Sequence, residues 1–371
     1  MRMRLAIVYN EPCVSRYDTA GETQAVVGVL NAVAAVHQAL LELGHDVTRV
    51  PLTPPLEQAE RKLNSLDAGL VFNLFEGFCG YPETEALVAE VLSELGIPFT
   101  GCPATALRLA LDKPKAKTIL KAAGIPTPDF QLLNPQTLHM FQLNYPCIVK
   151  PHGEDASHGL TIESVVSNLA SLEKQVNTIS TSYGGSALVE EFIDGREFNA
   201  TVLGNSQGTV LPVSEIVYSL PSEMPRILTF AAKWQPDSLY FQGTRVVCPA
   251  EIGNREQEHI AEIASASFRL LGCQGYARVD MRMDEKGQLN VIEVNPNPDI
   301  SPDYGAARQA ETAGMTYTQF ITQIVKLALE KDGDDNQDTS NVKKRQARLN
   351  ENTTQYTRVQ AFRGSGRRGG Y

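Results

Sequence analysis

The sequence predicts an α/β N-terminal domain, then an α+β half built on antiparallel strand pairs, then a disordered C-terminal tail. Three observations carry this. Over the first hundred residues, short apolar runs alternate with helix-period segments, the order expected when helices cover a largely parallel sheet. From Cys147 onward, short β-branched segments dominate, which favours antiparallel pairing. The last 41 residues are poor in apolar side chains and end in Arg363-Gly364-Ser365-Gly366-Arg367-Arg368-Gly369-Gly370-Tyr371, a composition that buries little.

Taken in order, Leu5–Tyr9 reads as the first strand. A helical pattern runs from about Glu22 to Leu43 and is closed by Gly44. Strands follow at Asp46–Val50 and Ala68–Leu74, with a proline-rich turn between them. A second helix, Glu83–Leu95, ends at Gly96 and leads into Ile97-Pro98-Phe99-Thr100-Gly101. A helix over Lys113–Ala123, stopped by Gly124 and Pro126, opens a new region. Strands are then expected at Cys147–Lys150, Leu188–Phe192, Glu197–Leu203, Gly208–Val213, Tyr276–Met283 and Leu289–Asn295. No internal repeat is visible.

The chain has 371 residues, 42% of them hydrophobic, enough for a large core. Its 33 Lys+Arg against 43 Asp+Glu leave a formal charge of −10. Residues 331–371 are about +4, so the body is about −14. That argues against bulk binding of the body to nucleic acid or to an anionic membrane surface. The arginine–glycine tail can bind RNA or other anions, although a solvated terminus without a specific partner is the favoured reading. No apolar run approaches the ~20 residues that span a bilayer, and the apolar stretch after Met1-Arg2-Met3-Arg4 is too short for a secretory signal. The six cysteines are scattered without a Cys-x-x-Cys pair and read as reduced thiols, which points to the cytoplasm. There is no Walker A loop, no Gly-x-Gly-x-x-Gly after the first strand and no His-Glu-x-x-His. His152 and His158 flank a loop and read as exposed polar residues.

The richest stretch is Tyr276–Met283, Asp284-Glu285-Lys286-Gly287, then Gln288–Asn295. Two alternating strands around a four-residue turn read as a hairpin. Pairing Met283 with Gln288 sets Arg278 opposite Glu293 and Asp280 opposite Val291. Period-two alternation then gathers Arg278, Asp280, Glu293 and Asn295 on one face, with Val279, Met281, Ile292 and Val294 on the other. Two carboxylates and an amide oxygen suit Mg²⁺, which completes its shell with phosphate and water. An Arg–Asp–Glu ion network on a solvated sheet face explains the same spacing.

Upstream, Val149-Lys150-Pro151 ends a strand just before the small-residue loop His152–Gly159, a lysine suited to gripping phosphate oxygens. In Val189-Glu190-Glu191-Phe192-Ile193-Asp194-Gly195-Arg196-Glu197, a short connection between strands offers backbone groups to a base edge and Glu197 to a ribose. Lys113 and Lys233 add further phosphate candidates.

Together these residues resemble the ATP-grasp superfamily and, within it, the D-alanine–D-alanine ligases. The resemblance runs from about Asp67 to Glu330. It rests on Ile97–Gly101, Leu111-Asp112-Lys113, Val149-Lys150-Pro151, Val189–Ile193, Leu271-Gly272-Cys273-Gln274-Gly275, Arg278-Val279-Asp280 and Glu293-Val294-Asn295-Pro296 in the expected order. It implies an N-terminal α/β domain (1–102), a central ATP-grasp lid (103–187), a C-terminal ATP-grasp domain (188–330) and the tail (331–371). It implies ATP with Mg²⁺ (or Mn²⁺), held by Asp280, Glu293 and Asn295. Lys113 and Lys150 match nucleotide-contacting lysines, Glu190, Glu191 and Ile193 the adenine edge, and Glu197 the ribose ligand. Ser157 matches the phosphate-closing loop, Lys233 a lysine near the γ-phosphate, and Arg278 the arginine beside the reacting carboxyl. The implied activity, D-alanine–D-alanine ligase-like, joins a small carboxylate and an amine of the amino-acid class through an acylphosphate. The alternatives are a ligase for a different amino-acid or peptide pair and a non-ligating ATP-binding protein, and the resemblance suggests a homodimer. Departures fall on the substrate side. The glycine-rich N-terminal signature is replaced by Asn10-Glu11-Pro12-Cys13, the histidine after the third strand is lost within Phe72–Gly77, and the serine-bearing loop reads Asp299–Gly305.

Overall fold

In a computed structural model, residues 2–14, 28–154, 157–205 and 207–330 are described. The expected start of the first helix (22–27) and the tail lie outside them.

Strands β1 (Arg4–Asn10), β2 (Asp46–Leu52) and β3 (Leu70–Leu74) form a parallel sheet in the order β2-β1-β3. Leu5–Val8 and the whole of β3 are buried, because helices cover both faces. On one face, α1 (Val29–Glu42) packs Val29, Val33, Val36 and Leu40 on Leu5, Ile7 and Phe72. On the other lie α2 (Leu56–Asn64) and α3 (Glu85–Glu94). The sequence predicted only a turn where α2 stands. Pro55 precedes the helix, Glu57 sits in its first turn, Arg61 and Lys62 in its last, and Ala59 and Leu63, one turn apart, are buried.

Helices α4 (Ala104–Leu111) and α5 (Lys113–Ala122) follow. Asp112 caps α5 by accepting the Lys115 N–H at 3.2 Å, and the helix turns Lys113 and Lys117 inward. Strands β4 (Phe130–Leu133), β5 (Cys147–Pro151), β6 (Val165–Val166) and β7 (Ala187–Glu191) make an antiparallel sheet in the order β4-β7-β5-β6. Helix α6 (Leu169–Ser182) packs Leu172, Val176 and Ile179 on Cys147, Val149, Ala187 and Val189. Alternation therefore sends Lys150 and Glu190 to the opposite face.

The largest sheet is antiparallel. It comprises β8 (Arg196–Gly204), β9 (Gly208–Val210), β10 (Ser214–Tyr218), β11 (Thr244–Val247), β12 (Gly275–Met283) and β13 (Leu289–Asn295). Its order is β11-β10-β8-β12-β13, with β9 on β8. Two short helices, α7 (Phe230–Trp234) and α8 (Leu239–Gln242), precede β11. Helix α9 (Asn254–Leu270) packs Ile260, Ala264 and Phe268 into the core formed by Phe198, Ala200, Val279 and Met281. After α10 (Gly305–Thr312), helix α11 (Tyr317–Glu330) returns Phe320, Ile321 and Ile324 to the core of the N-terminal sheet. Among the described residues, no helix is long and apolar enough to cross a membrane.

Two expectations are corrected here. The β12–β13 hairpin exists, but Met283 pairs with Leu289, Asp280 with Glu293 and Arg278 with Asn295. The ladder shifts between Asp280 and Met281, where β13 carries an extra residue. This bulge puts Val291 in the core and Ile292 on the cleft wall, the reverse of strict alternation. It also restores the parity that the longer turn would have broken, so the charged residues keep their common face. Secondly, Cys13 and Cys79 form a disulfide instead of standing as free thiols. β1 and β3 are parallel neighbours, so the loops leaving their C-terminal ends meet although 66 residues separate the cysteines. Cys102, Cys147, Cys248 and Cys273 form no disulfide.

Candidate active site

The inner faces of the second and third sheets enclose one cleft. Lys150 and Glu190 come from β5 and β7, and Glu197 from β8. Arg278, Asp280 and Arg282 come from β12, and Ile292 and Glu293 from β13. Lys113 enters from the start of α5, Lys233 from α7, and Ser157 and His158 from the loop after β5. Of the residues expected from sequence, only Asn295 does not line this cleft. It stands opposite Arg278 in the ladder, and its Oδ1 accepts the Asn297 N–H at 3.0 Å.

Arg278 grips Asp280 with two parallel bonds, Nε to Oδ1 at 2.7 Å and Nη2 to Oδ2 at 2.8 Å, and Asn199 donates to the same Oδ1 at 2.6 Å. Burial opposes the Arg278 charge, but Asp280, Glu293 and Asp299 raise its pKa above the usual arginine value. Glu293 lies 3.7 Å from Lys113 Nζ. Burial works against the Glu293 carboxylate, yet Lys113, Lys150, Arg278 and Lys233 hold it at about 2. The Lys233 ammonium is lowered by burial and then by Arg278. The pair Asp280–Glu293 is a two-carboxylate set. Among the described residues no group of three or more His, Cys, Asp or Glu side chains forms a metal site.

Other residues sit differently from their sequence reading. The Glu190 carboxylate is buried between Lys117 Nζ at 2.7 Å and Lys150 Nζ at 2.5 Å. Glu191 Oε1 accepts from the backbone and side chain of Asn144 at 3.0 and 2.8 Å. The Ile193 carbonyl accepts from Arg282 Nη1 at 2.8 Å. Glu197 Oε2 accepts from Tyr218 Oη at 2.7 Å and from Arg282 Nη2 at 2.5 Å. Ser157 adopts φ of 62°, a left-handed turn unusual for a residue with a Cβ. His158, expected to be exposed, is buried and stacks on Phe230 with ring centroids 5.8 Å apart. His152 turns Nδ1 to the Ser186 carbonyl at 2.9 Å.

Two buried cations escaped the sequence reading. Lys117 lies one helical turn after Lys113, and Arg282 follows Arg278 and Asp280 at strand spacing, so both periodicities pointed to them.

Comparison with known proteins adds four findings. A family model described as D-ala D-ala ligase C-terminus matches residues 119–326. A D-alanine–D-alanine ligase of Gluconobacter oxydans is 32% identical over 306 residues, covering 82% of this chain and 94% of that one. An uncharacterized protein of Sinorhizobium fredii is 37% identical over 266 residues, covering 70% and 75%. The crystal structure of D-alanine–D-alanine ligase from Bacillus anthracis complexed with ATP has the same fold, with a TM-score of 0.68 at 21% identity over 90% of this chain and 99% of that one. With the family model covering more than half of the sequence, and these sheets closing on one cleft, the chain belongs to the D-alanine–D-alanine ligase family of ATP-grasp proteins.

Proposed function

We propose that the chain is an ATP-dependent carboxylate–amine ligase whose two substrates belong to the amino-acid class. The observation that carries this is the cross-strand pair Asp280–Glu293 in a cleft that also receives Lys113, Lys150 and Lys233. Hard oxygen donors beside several ammonium groups suit a triphosphate and its divalent ion. In this reading Asp280 and Glu293 would hold Mg²⁺ (or Mn²⁺), and Asn295, which does not line the cleft, would have to turn its amide oxygen from the Asn297 N–H to join them. A bound divalent ion would supply charge neutralisation at the triphosphate; the substrate carboxylate would take the γ-phosphoryl group, ADP leaving, to become an acylphosphate.

The chain's own residues do the rest. Lys113 and Lys150 hold the phosphates, and Lys233 meets the group in transfer. Glu190, Glu191 and Ile193 border the base, and Glu197 takes a ribose hydroxyl. Arg278 serves two stages. It neutralises Asp280 at rest and offers its guanidinium to the oxyanion formed when the amine attacks. Ser157 and His158 lie on the loop that would cover the site and keep the acylphosphate from water. The reaction belongs in the cytoplasm, where ATP is supplied.

The substrate side favours a pair other than two D-alanines. Asn10–Cys13, Phe75-Glu76-Gly77 and Asp299–Gly305 replace the family's substrate signatures. The test is a screen of amino acids, singly and in pairs, with ATP and Mg²⁺, read as ADP release and product mass. A pair giving the summed mass minus water is expected. ATP binding without ADP release for any pair would make the chain a non-ligating nucleotide-binding protein.

A further inference from the structure

Arg282 joins three walls of the cleft. It stands opposite Glu197 in the β8–β12 ladder and is only 5% exposed. Its Nη1 donates to the Ile193 carbonyl at 2.8 Å, fixing the connection between β7 and β8. Its Nη2 and Nε donate to Glu197 Oε2 at 2.5 and 3.2 Å. Nη2 also donates to the Arg226 carbonyl, in the segment that leads to α7 and Lys233. The guanidinium lies over the Phe192 ring, 5.1 Å from its centroid. Burial opposes its charge, and Glu197 and Tyr218 more than offset this.

The bonds to Glu197 are lopsided. Arg282 and Tyr218 all reach Oε2, and among the described residues Oε1 accepts no hydrogen bond. A carboxylate anchored by one oxygen has a fixed second oxygen to offer. We infer that Arg282 is a positioning residue for nucleotide selection: with Tyr218 it locks Glu197 Oε2, so that Oε1 is held ready for a ribose hydroxyl. This rests on the nucleotide reading of the cleft. It adds that recognition of the sugar depends on a residue that does not touch it. A flexible carboxylate would pay rotamer entropy on binding and tolerate a missing hydroxyl, whereas a clamped one does not.

The test compares binding of ATP, 2′-deoxy-ATP and 3′-deoxy-ATP by calorimetric titration of the full chain with Mg²⁺ present. Wild type is expected to bind at least one deoxy analogue about tenfold more weakly than ATP, the loss of one hydrogen bond to a charged group. Arg282→Met is expected to weaken ATP binding and to bring the two affinities within ~2-fold. Arg282→Lys is expected to restore part of the ratio. A purely structural role would lower the melting temperature and leave the ratio unchanged, and that result overturns the inference. Should Arg282→Met fail to fold, Tyr218→Phe removes only the other hold on Oε2 and is expected to lower the ratio by ~3-fold. An unchanged ratio there also overturns it. A wild-type protein that binds no ATP overturns the nucleotide reading as well, so the two failures are distinguishable.

Discussion

Lys117 Nζ and Glu190 Oε1 lie 2.7 Å apart, with side chains only 3% and 1% exposed. Burial lowers the Lys117 ammonium to about 8 despite Glu190, while Lys117 and Lys150 hold the Glu190 carboxyl below its usual range against burial. Lys117→Met leaves a buried carboxylate with Lys150 alone and should cost roughly 3–5 kcal/mol, measured by urea unfolding at pH 7. The sign with pH follows from the lowered value. The unfolded chain holds the proton up to about 10.5 and the folded one only to about 8, so wild type should gain stability relative to Lys117→Met as pH rises across that window. Parallel pH profiles would refute the assignment.

Arg278 forms a bidentate pair with Asp280 and lies in the cleft. Arg278→Met should keep ATP affinity and lower turnover by about 10²–10³, or ~2.7–4 kcal/mol, the usual effect of removing one oxyanion donor. Titration of ATP beside steady-state ADP release separates the two. Near-normal turnover would sink the role.

Glu293, held at about 2 in the fold against an ordinary value of 4.5, stabilises the protein at neutral pH. That contribution is complete above the unfolded value and is lost as pH falls from 4.5 toward 2. Glu293→Gln should lack this acid-side loss in thermal melts and should raise the Mg²⁺ concentration needed for half-maximal ADP release by at least about tenfold.

The Cys13–Cys79 bond closes a loop of 66 residues. Chain entropy puts its removal at up to ~4 kcal/mol. A non-reducing peptide map should show the linked pair. Reductant should lower the unfolding midpoint of wild type but not of Cys13→Ser.

The alternating pattern of the β12–β13 hairpin made its two faces legible, because a period of two survives errors in loop length. The exact partners were not legible, since nothing in the residue types marks the extra residue in β13. Helix α2 was hidden by Pro54 and Pro55, which read as a turn although Pro55 also suits a helix start. Lys117 and Arg282 carried readable spacing but no motif. The Cys13–Cys79 contact depends on which strands become neighbours, a long-range result that local pattern does not encode.

The irregularity in β13 has an effect on what the cleft can hold. A regular strand hands one side chain in two to a given surface, so an aliphatic group and the carboxylate beside it would point apart. Here consecutive residues, Ile292 and Glu293, share the same wall. An apolar side chain and a carboxylate thus sit a single peptide apart on one wall, so under the proposed nucleotide reading a molecule carrying both a base and phosphates would lie along a single stretch of backbone.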